Sequence, residues 1–280
     1  MSYKTIVVHL DRGARCGERL ALAFGLAEKF DASLIGLFAL AAARVPSYAL
    51  AEAGPTILEI EQRQRAAATR QAEKEFRAAV ARRGGAKAEW RAAGEDAVAA
   101  VRLSVRYAEL LILGQPAPGG EDAAGVPPWL AEDVMLSAGR PVLLVPYAGH
   151  FASVGERVLV AWDAGREAAR AVTDALPLLV RAAQVQVVAF DPGRAGPGHG
   201  EEPGADIGLY LARHGVKVTV ARQQGTGLDI GSQILSRAFD IGADLIVMGG
   251  YGHSRMRELV LGGATRTLLE SMTVPVLMSH

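Results

Sequence analysis

Residues 244–265 read DLIVMGGYGHSRMRELVLGGAT, a buried-strand pattern that runs directly into a glycine-rich stretch. Gly249, Gly252 and Gly262 follow that strand at spacings of three and ten residues. Glycines at a strand end leave backbone N–H groups uncovered by side chains, and a helix that begins just afterwards adds the positive end of its dipole. The stretch therefore predicts a strand, a loop that can hold an anion such as a phosphate group, and a helix.

The same order of landmarks occurs twice in the chain, which indicates a tandem repeat. TIVVHLD (5–11) corresponds to RVLVAWD (157–163), and each is a short strand that ends in an aspartate before an alanine-rich helix. The fourth strands, ELLILG (109–114) and DLIVMG (244–249), also correspond. Each copy closes on a proline-led strand, PVLLVPY in the first and PVLMSH in the second.

Strands alternate with helices of ten or more residues in both copies, which predicts parallel strands joined by right-handed crossovers. Strands such as LIVM and VLLV are apolar on both sides, as in a sheet covered by helices on both faces. We therefore predict an α/β protein with two tandem, doubly wound, parallel five-stranded sheets. The domains are expected at 1–147 and 156–280, with a linker at 148–156.

Residues 44–84 are an extension that the second copy lacks. Pro46 and Pro55 predict a loop, and the segment from Ile57 onward predicts a charged helix. The charges on that helix are most simply a solvated face, not a dedicated binding surface.

The composition excludes several classes of protein. Thirty basic and 30 acidic residues give a formal net charge of zero, so no overall field attracts nucleic acid or an anionic membrane. The apolar runs are too short for a transmembrane helix or a signal peptide. The single cysteine, Cys16, excludes an intrachain disulfide and suits a reducing compartment. We expect a soluble cytoplasmic protein.

Common catalytic signatures are missing from the sequence. It contains no P-loop, no Gly-x-Gly-x-x-Gly after the first strand and no Gly-x-Ser-x-Gly nucleophile elbow. The six histidines are scattered without the spacing that is typical of metal ligands. No set of residues in the sequence amounts to a persuasive catalytic centre.

Ligands of open parallel sheets bind at the carboxyl ends of the strands, where the strand order reverses. Asp163 ends the first strand of the second copy, where its carboxylate can accept a hydrogen bond from a ribose hydroxyl or an adenine amine. Backbone groups near Ala161 and Phe190 are expected to contact the edge of the adenine base. The structural alternative for Asp163 is a turn or helix-capping residue.

This arrangement resembles the universal stress protein family, whose nucleotide-binding members carry Gly-x2-Gly-x9-Gly followed by Ser or Thr after the fourth strand. The three glycines above meet the spacing, but Gly263 stands where the family has its hydroxyl. The resemblance implies a Rossmann-like fold of the adenine nucleotide alpha hydrolase type, covering essentially the whole chain as two copies. The predicted nucleotide contacts are Ala161, Asp163, Phe190, Met248, Gly249, Gly252, His253, Ser254, Gly262, Gly263, Ala264 and Thr265.

Several of these contacts have expected roles. The amides of Gly263 and Ala264 lie at the start of a helix, and Thr265 is a candidate for the substitute hydroxyl. His253 and Ser254 are expected to reach the phosphates, with the arginines at 255 and 257 to neutralise them. The structural alternative for the whole loop is a tight strand-to-helix connection that needs glycine for packing.

The first copy lacks the glycine pattern. After Gly114 the chain reads QPAPGGEDAAGVPPW, and its prolines remove N–H donors that would face a phosphate. We predict one competent site, in the second copy, and a first copy that serves architecture or partner contact.

The favoured function is a tandem protein of the universal stress type that binds ATP or AMP as a sensor or regulator. The need for magnesium stays open. A nucleotide-free interaction scaffold is the rival, and a slow adenine-nucleotide hydrolase is the third option. The resemblance also implies edge-to-edge pairing of the closing strands, so that strands at 141–147 and 275–279 would form an internal pseudo-dimer. Association of two such chains into a homodimer is a further option.

Overall fold

The computed structural model describes residues 2–41, 47–85, 87–94, 96–116, 125–151, 153–192, 202–225, 227–252 and 263–280. Within them, ten strands form one sheet: β1 (Thr5–Leu10), β2 (Ser33–Phe38), β3 (Ala88–Ala92), β4 (Leu110–Gly114), β5 (Val142–Val145), β6 (Arg157–Trp162), β7 (Gln184–Phe190), β8 (Val218–Gln223), β9 (Leu245–Gly249) and β10 (Val276–Ser279). The described helices are α1 (Cys16–Phe30), α2 (Ser47–Arg82), α3 (Ala97–Val105), α4 (Leu130–Ser137), α5 (Arg166–Leu179), α6 (Ala205–Arg213), α7 (Ile230–Asp240) and α8 (Gly263–Ser271).

The strand order is β3-β2-β1-β4-β5-β10-β9-β6-β7-β8. In each half the chain builds outward from its first strand, then crosses back to place its fourth strand on the other side of that first strand. The first strand is therefore the point of reversal, flanked by β4 in one half and by β9 in the other. The pairings within each half are parallel, as the alternation of strands and helices predicts.

Antiparallel pairing of β5 with β10 joins the two halves. Leu143 lies opposite Leu277, and Leu144 lies opposite Val276. All four side chains are fully buried. The predicted edge-to-edge pairing of the closing strands is confirmed, and the two five-stranded sheets become one ten-stranded sheet.

Helices cover both faces of the sheet. One apolar cluster contains side chains of α1, α2, α5 and α6, and the other contains side chains of α3, α4, α7 and α8. Central strands alternate between these clusters: Ile6 and Val8 belong to the first, and Val7 belongs to the second. This burial on both sides explains why the strands are nearly continuous apolar runs.

The extension differs from its prediction in one respect. The helix α2 runs over Ser47–Arg82 with Pro55 inside it, so the predicted loop around Pro55 is wrong. Pro46 lies outside the described residues. Towards its C-terminal end the helix is anchored by Phe76, which is buried and stacks on Phe24 of α1 with ring centroids 6.2 Å apart. A proline costs a helix one backbone hydrogen bond, whereas burial of an apolar side chain such as Phe76 stabilises the helix as a whole.

None of the described helices is both long and apolar enough to cross a membrane.

Replacement of Leu277 by alanine tests the junction between the halves. Because Leu277 is fully buried, its truncation should lower the free energy of unfolding by about 2–5 kcal/mol. Leu209→Ala is the matched control, since the Leu209 side chain is 51% exposed. Urea unfolding measures both variants, and equal losses would contradict the packing described at the junction.

Candidate functional site

Asp163 follows β6 at the point where the strand order reverses. One carboxylate oxygen, Oδ1, accepts a hydrogen bond from the Gly165 amide at 2.8 Å. Gly165 is the residue that caps α5, so Asp163 shapes the turn into that helix. The other oxygen, Oδ2, lies 3.8 Å from the point that a Cβ atom on Gly252 would occupy. The structure thus brings Asp163 and the glycine stretch together while giving the aspartate a turn-forming role.

Gly249 packs directly against the first turn of α5. A Cβ atom there would lie 2.6 Å from the backbone nitrogen of Ala168 and 2.7 Å from the carbonyl carbon of Glu167. Both distances are far below van der Waals contact, and backbone atoms cannot rotate away. Glycine is therefore required at 249 for packing, whatever else the loop does.

Two amides of the loop are bonded within the protein. The Gly250 N–H donates to the Ser279 carbonyl at 2.9 Å, which continues the ladder between β9 and β10. The Tyr251 N–H donates to the Thr265 hydroxyl at 3.3 Å. Thr265 is almost fully buried, so its hydroxyl ties the loop to α8 from the inside. Neither amide is available to an anion while these bonds hold.

The loop also packs against the first half of the chain. A Cβ atom on Gly250 would lie 2.4 Å from the Met135 sulfur on α4. Tyr251 adopts a left-handed backbone conformation with φ of 61°. Burial, and then the nearby charge of Glu132, raise the pKa of its phenol. One wall of the second-half loop therefore belongs to the first half.

Glu167 is a member of this site that the sequence analysis missed. It lies in the first turn of α5, its side chain is only 5% exposed, and its Oε2 atom lies 3.1 Å from the Cβ position of Gly252. Arg166 donates to its Oε1 atom at 2.5 Å. Nothing in the sequence distinguishes Glu167 from an ordinary helix residue. Its closeness to Gly252 is visible only in the structure.

A second missed group lies beside Phe190 at the end of β7. The Gln233 side chain is buried and donates to Asp191 Oδ2 at 3.1 Å and to the Leu228 carbonyl at 3.0 Å. Asp191 also accepts from the Gly225 amide at 3.0 Å. This network holds the ends of β7 and β8 to α7 and forms a polar rim next to the predicted base position.

In the first half, larger side chains surround Asp11, the counterpart of Asp163. Asp11 repeats the turn of Asp163, since its Oδ1 atom accepts from the Gly13 amide at 2.8 Å. Its Oδ2 atom, however, pairs with the buried Arg19 at 2.7 Å. The Arg19 guanidinium lies so close to Gly114 that a Cβ atom there would be 2.2 Å away. The Asp11 carboxylate of the first half is therefore engaged in an internal ion pair with Arg19.

The two halves also differ in the size of the side chains near the aspartate. Two residues before it stand His9 in the first half and Ala161 in the second, and eight residues after it stand Arg19 and Ala171. A cleft of about 740 Å³ remains in the first half beside His9 and Arg19, and Leu269 from the second half also lines it. The first half therefore has a cleft but not the side chains predicted for the second.

The residues predicted to contact the nucleotide differ in how deeply they are buried. Asp163 and Phe190 are half-buried at their strand ends, as is Ala161, and Met248 is buried within β9. Gly252 and Gly263 are exposed, and Ala264 is half-buried at the start of α8. His253, Ser254 and Gly262 lie outside the described residues, as do the arginines at 255 and 257. Among the described residues, no group of three or more His, Cys, Asp or Glu could hold a metal ion.

Comparisons with known proteins agree with this architecture. The model of the universal stress protein family matches residues 155–280. The chain is similar in structure to a universal stress protein from Archaeoglobus fulgidus, with a TM-score of 0.70 and 17% identity over 98% of this chain and 95% of that one. It is also similar to a functionally unknown protein from Pseudomonas aeruginosa, with a TM-score of 0.60 and 15% identity over 99% of this chain and 92% of that one. No curated protein matches the sequence. Identities this low show a shared fold and nothing about ligands.

Alanine at 249 and at 263 should have opposite effects. Gly249→Ala forces a Cβ atom into the backbone of α5 and should lower the free energy of unfolding by about 1–3 kcal/mol. Gly263 begins α8, and no atom of the described residues lies within 4 Å of its Cβ position, so Gly263→Ala should be neutral or stabilise the protein by up to about 1 kcal/mol. Thermal or urea unfolding measures both. A tolerated Gly249→Ala would show that the contact with α5 is not close.

His9 should make stability depend on pH. Burial lowers the pKa of this histidine, the charge of Arg19 lowers it further, and Asp11 opposes both. Because the folded pKa lies below the unfolded value of about 6.5, its contribution is complete above that pH and is lost as the pH falls. His9→Gln keeps a donor for the Ala39 carbonyl, which His9 Nε2 contacts at 2.8 Å. Urea unfolding between about pH 7 and about pH 5 should show a shallower loss for His9→Gln than for wild type; parallel curves would contradict the assignment.

Proposed function

We propose that residues 155–280, which match the model of the universal stress protein family, bind an adenine nucleotide, ATP or AMP, at the carboxyl ends of β6 and β9. The observation that carries the proposal is the approach of Asp163 to Gly252 at the reversal of strand order, with 3.8 Å between Oδ2 and the Cβ position of the glycine. Such crevices are where open parallel sheets bind their ligands. There the Asp163 carboxylate, a hydrogen-bond acceptor, lies beside Gly252, which has no side chain to block a ligand.

The small side chains around Asp163 suit a base and ribose. Ala161 and Ala171 stand where the first half has His9 and Arg19. A carboxylate provides about four acceptor positions, so Asp163 serves both the turn and a ligand hydroxyl or amine. Phe190 at the end of β7 supplies an apolar edge, and the Gln233–Asp191 network fixes that edge in place.

The phosphates are assigned to the side of the loop that faces α8. Gly252 and Gly263 are exposed, and Gly263 is the first residue of that helix. The N-terminal turn of a helix carries amides without intrahelical partners and the positive end of the dipole. Gly263 and Ala264 are the donors in this assignment, whereas Thr265 positions the loop through its bond with Tyr251.

A regulatory role follows from where the loop packs. Gly250 and Tyr251 contact α4 of the first half through Met135 and Glu132. A ligand that moves the loop would therefore shift contacts across the junction between the halves. Because the loop contacts the other half of the chain, a sensor suits the site better than a hydrolase.

A nucleotide-free scaffold is the second candidate, and a specific observation favours it. The amides of Gly250 and Tyr251 are already bonded, and the Glu167 carboxylate lies beside Gly252. Under this alternative the glycines exist for packing, and the site binds no small anion.

Calorimetric titration with ATP, ADP and AMP, each with and without magnesium, separates the two candidates. We expect saturable binding of at least one nucleotide at one site per chain, and a loss of about tenfold or more in affinity for Asp163→Asn because an acceptor becomes partly a donor. Asp240→Asn is the matched control, because Asp240 is an exposed acid at the end of α7, at the amino ends of the strands and away from the site. No binding of any nucleotide would leave the scaffold as the function.

A further inference from the structure

The position of Glu167 sets a constraint on the charge of the ligand. Its side chain is 5% exposed, and its Oε2 atom lies 3.1 Å from the Cβ position of Gly252. Asp163 Oδ2 lies 3.8 Å from that same position. Two carboxylates therefore lie close to Gly252, which is exposed and follows β9.

Glu167 carries its charge at neutral pH. Burial acts to raise the pKa of the carboxyl, but the hydrogen bond from Arg166, the bond from its own backbone amide and the charge of His280 bring the pKa below its usual value. Arg166 is 69% exposed, so water screens its charge. The guanidinium therefore offsets only part of the negative charge of the Glu167 carboxylate.

The first half has the opposite charge at the corresponding position of its sequence. Four residues after Asp11 stands Arg15, whereas four residues after Asp163 stands Glu167. The half with the glycine pattern thus carries an anion where the other half carries a cation. The difference lies at the position closest to Gly252, and packing does not require it, because a neutral glutamine has the same shape.

We propose that Glu167 is a specificity-determining residue, which makes the second-half site select adenine ligands with few phosphate groups, AMP or adenosine, over ATP. This inference rests on the proposed function. Each added phosphate brings negative charge towards the glycine loop, where a poorly solvated carboxylate repels it more strongly than the same charge would in water. AMP keeps the contacts to Asp163 and Phe190 with the smallest repulsion among the phosphorylated ligands.

Glu167 also has a structural role that the test must separate from this one. An acidic side chain in the first turn of a helix interacts favourably with the helix dipole, by about 0.3–1 kcal/mol. Loss of that interaction in Glu167→Gln would lower the melting temperature slightly. It would not change the ratio of the affinities for two ligands of the same site.

The experiment is a calorimetric titration of wild type and Glu167→Gln with adenosine, AMP, ADP and ATP, without magnesium so that the phosphates keep their full charge. In wild type we expect AMP to bind about tenfold more tightly than ATP. In Glu167→Gln we expect the affinity for ATP to rise about tenfold and that for adenosine to stay unchanged. Every variant keeps the arginines at 255 and 257 in its sequence.

Two further variants serve as controls. Glu270→Gln removes an exposed carboxylate that pairs with Arg266 on α8, and it should leave the ratio unchanged. Arg166→Gln removes the partner of Glu167 and should increase the preference for AMP. If ATP binds wild type as tightly as AMP, or if Glu167→Gln leaves the ratio as it was, the inference is overturned while the proposed function stands. If none of the four ligands binds any variant, the proposed function fails and the inference fails with it.

Discussion

The antiparallel pairing of β5 with β10 is the constraint on which the rest of the structure depends. It turns two edge strands into the centre of one sheet and buries Leu143 and Leu277 completely. It also places the strand-end loop of each half against a helix of the other. Gly250 lies against Met135, and Gln115 donates to the Leu269 carbonyl at 2.8 Å. Because backbone hydrogen bonds fix the register of this pair, the contacts between loops and helices are fixed with it.

Within this common frame, a few side chains give the halves different chemistry. Both aspartates, at 11 and 163, make the same turn with a glycine amide two residues later. Arg19 then closes the first half with a buried ion pair, whereas alanine at 171 leaves the second half uncrowded. Loss of one partner from a buried ion pair is strongly destabilising, so Asp11 stays paired with Arg19 in the folded protein. In the second half the Asp163 carboxylate shapes the turn into α5 and lies beside Gly252.

The glycine stretch shows how one sequence pattern serves two purposes. Its spacing predicts both an anion-binding loop and a tight strand-to-helix connection, and the residues alone do not separate them. The structure gives Gly249 a packing role against α5 and engages the amides of Gly250 and Tyr251 internally. Gly252 and Gly263 are the exposed members among the described residues, and the proposed ligand is assigned to them. The spacing of the glycines gives them all the same role, whereas their burial and backbone hydrogen bonds in the structure differ.

The sequence by itself determined the tandem α/β repeat, the strands, and the meeting of Asp163 with the glycine stretch. These features follow from local hydrophobic periodicity and from the rule that ligands bind where the strand order reverses. The course of α2 through Pro55, the position of Glu167 beside Gly252 and the contact of the second-half loop with Met135 were decided only by the tertiary structure. Each of these depends on packing between segments distant in the chain, and the periodicity of a single segment contains no information about that packing.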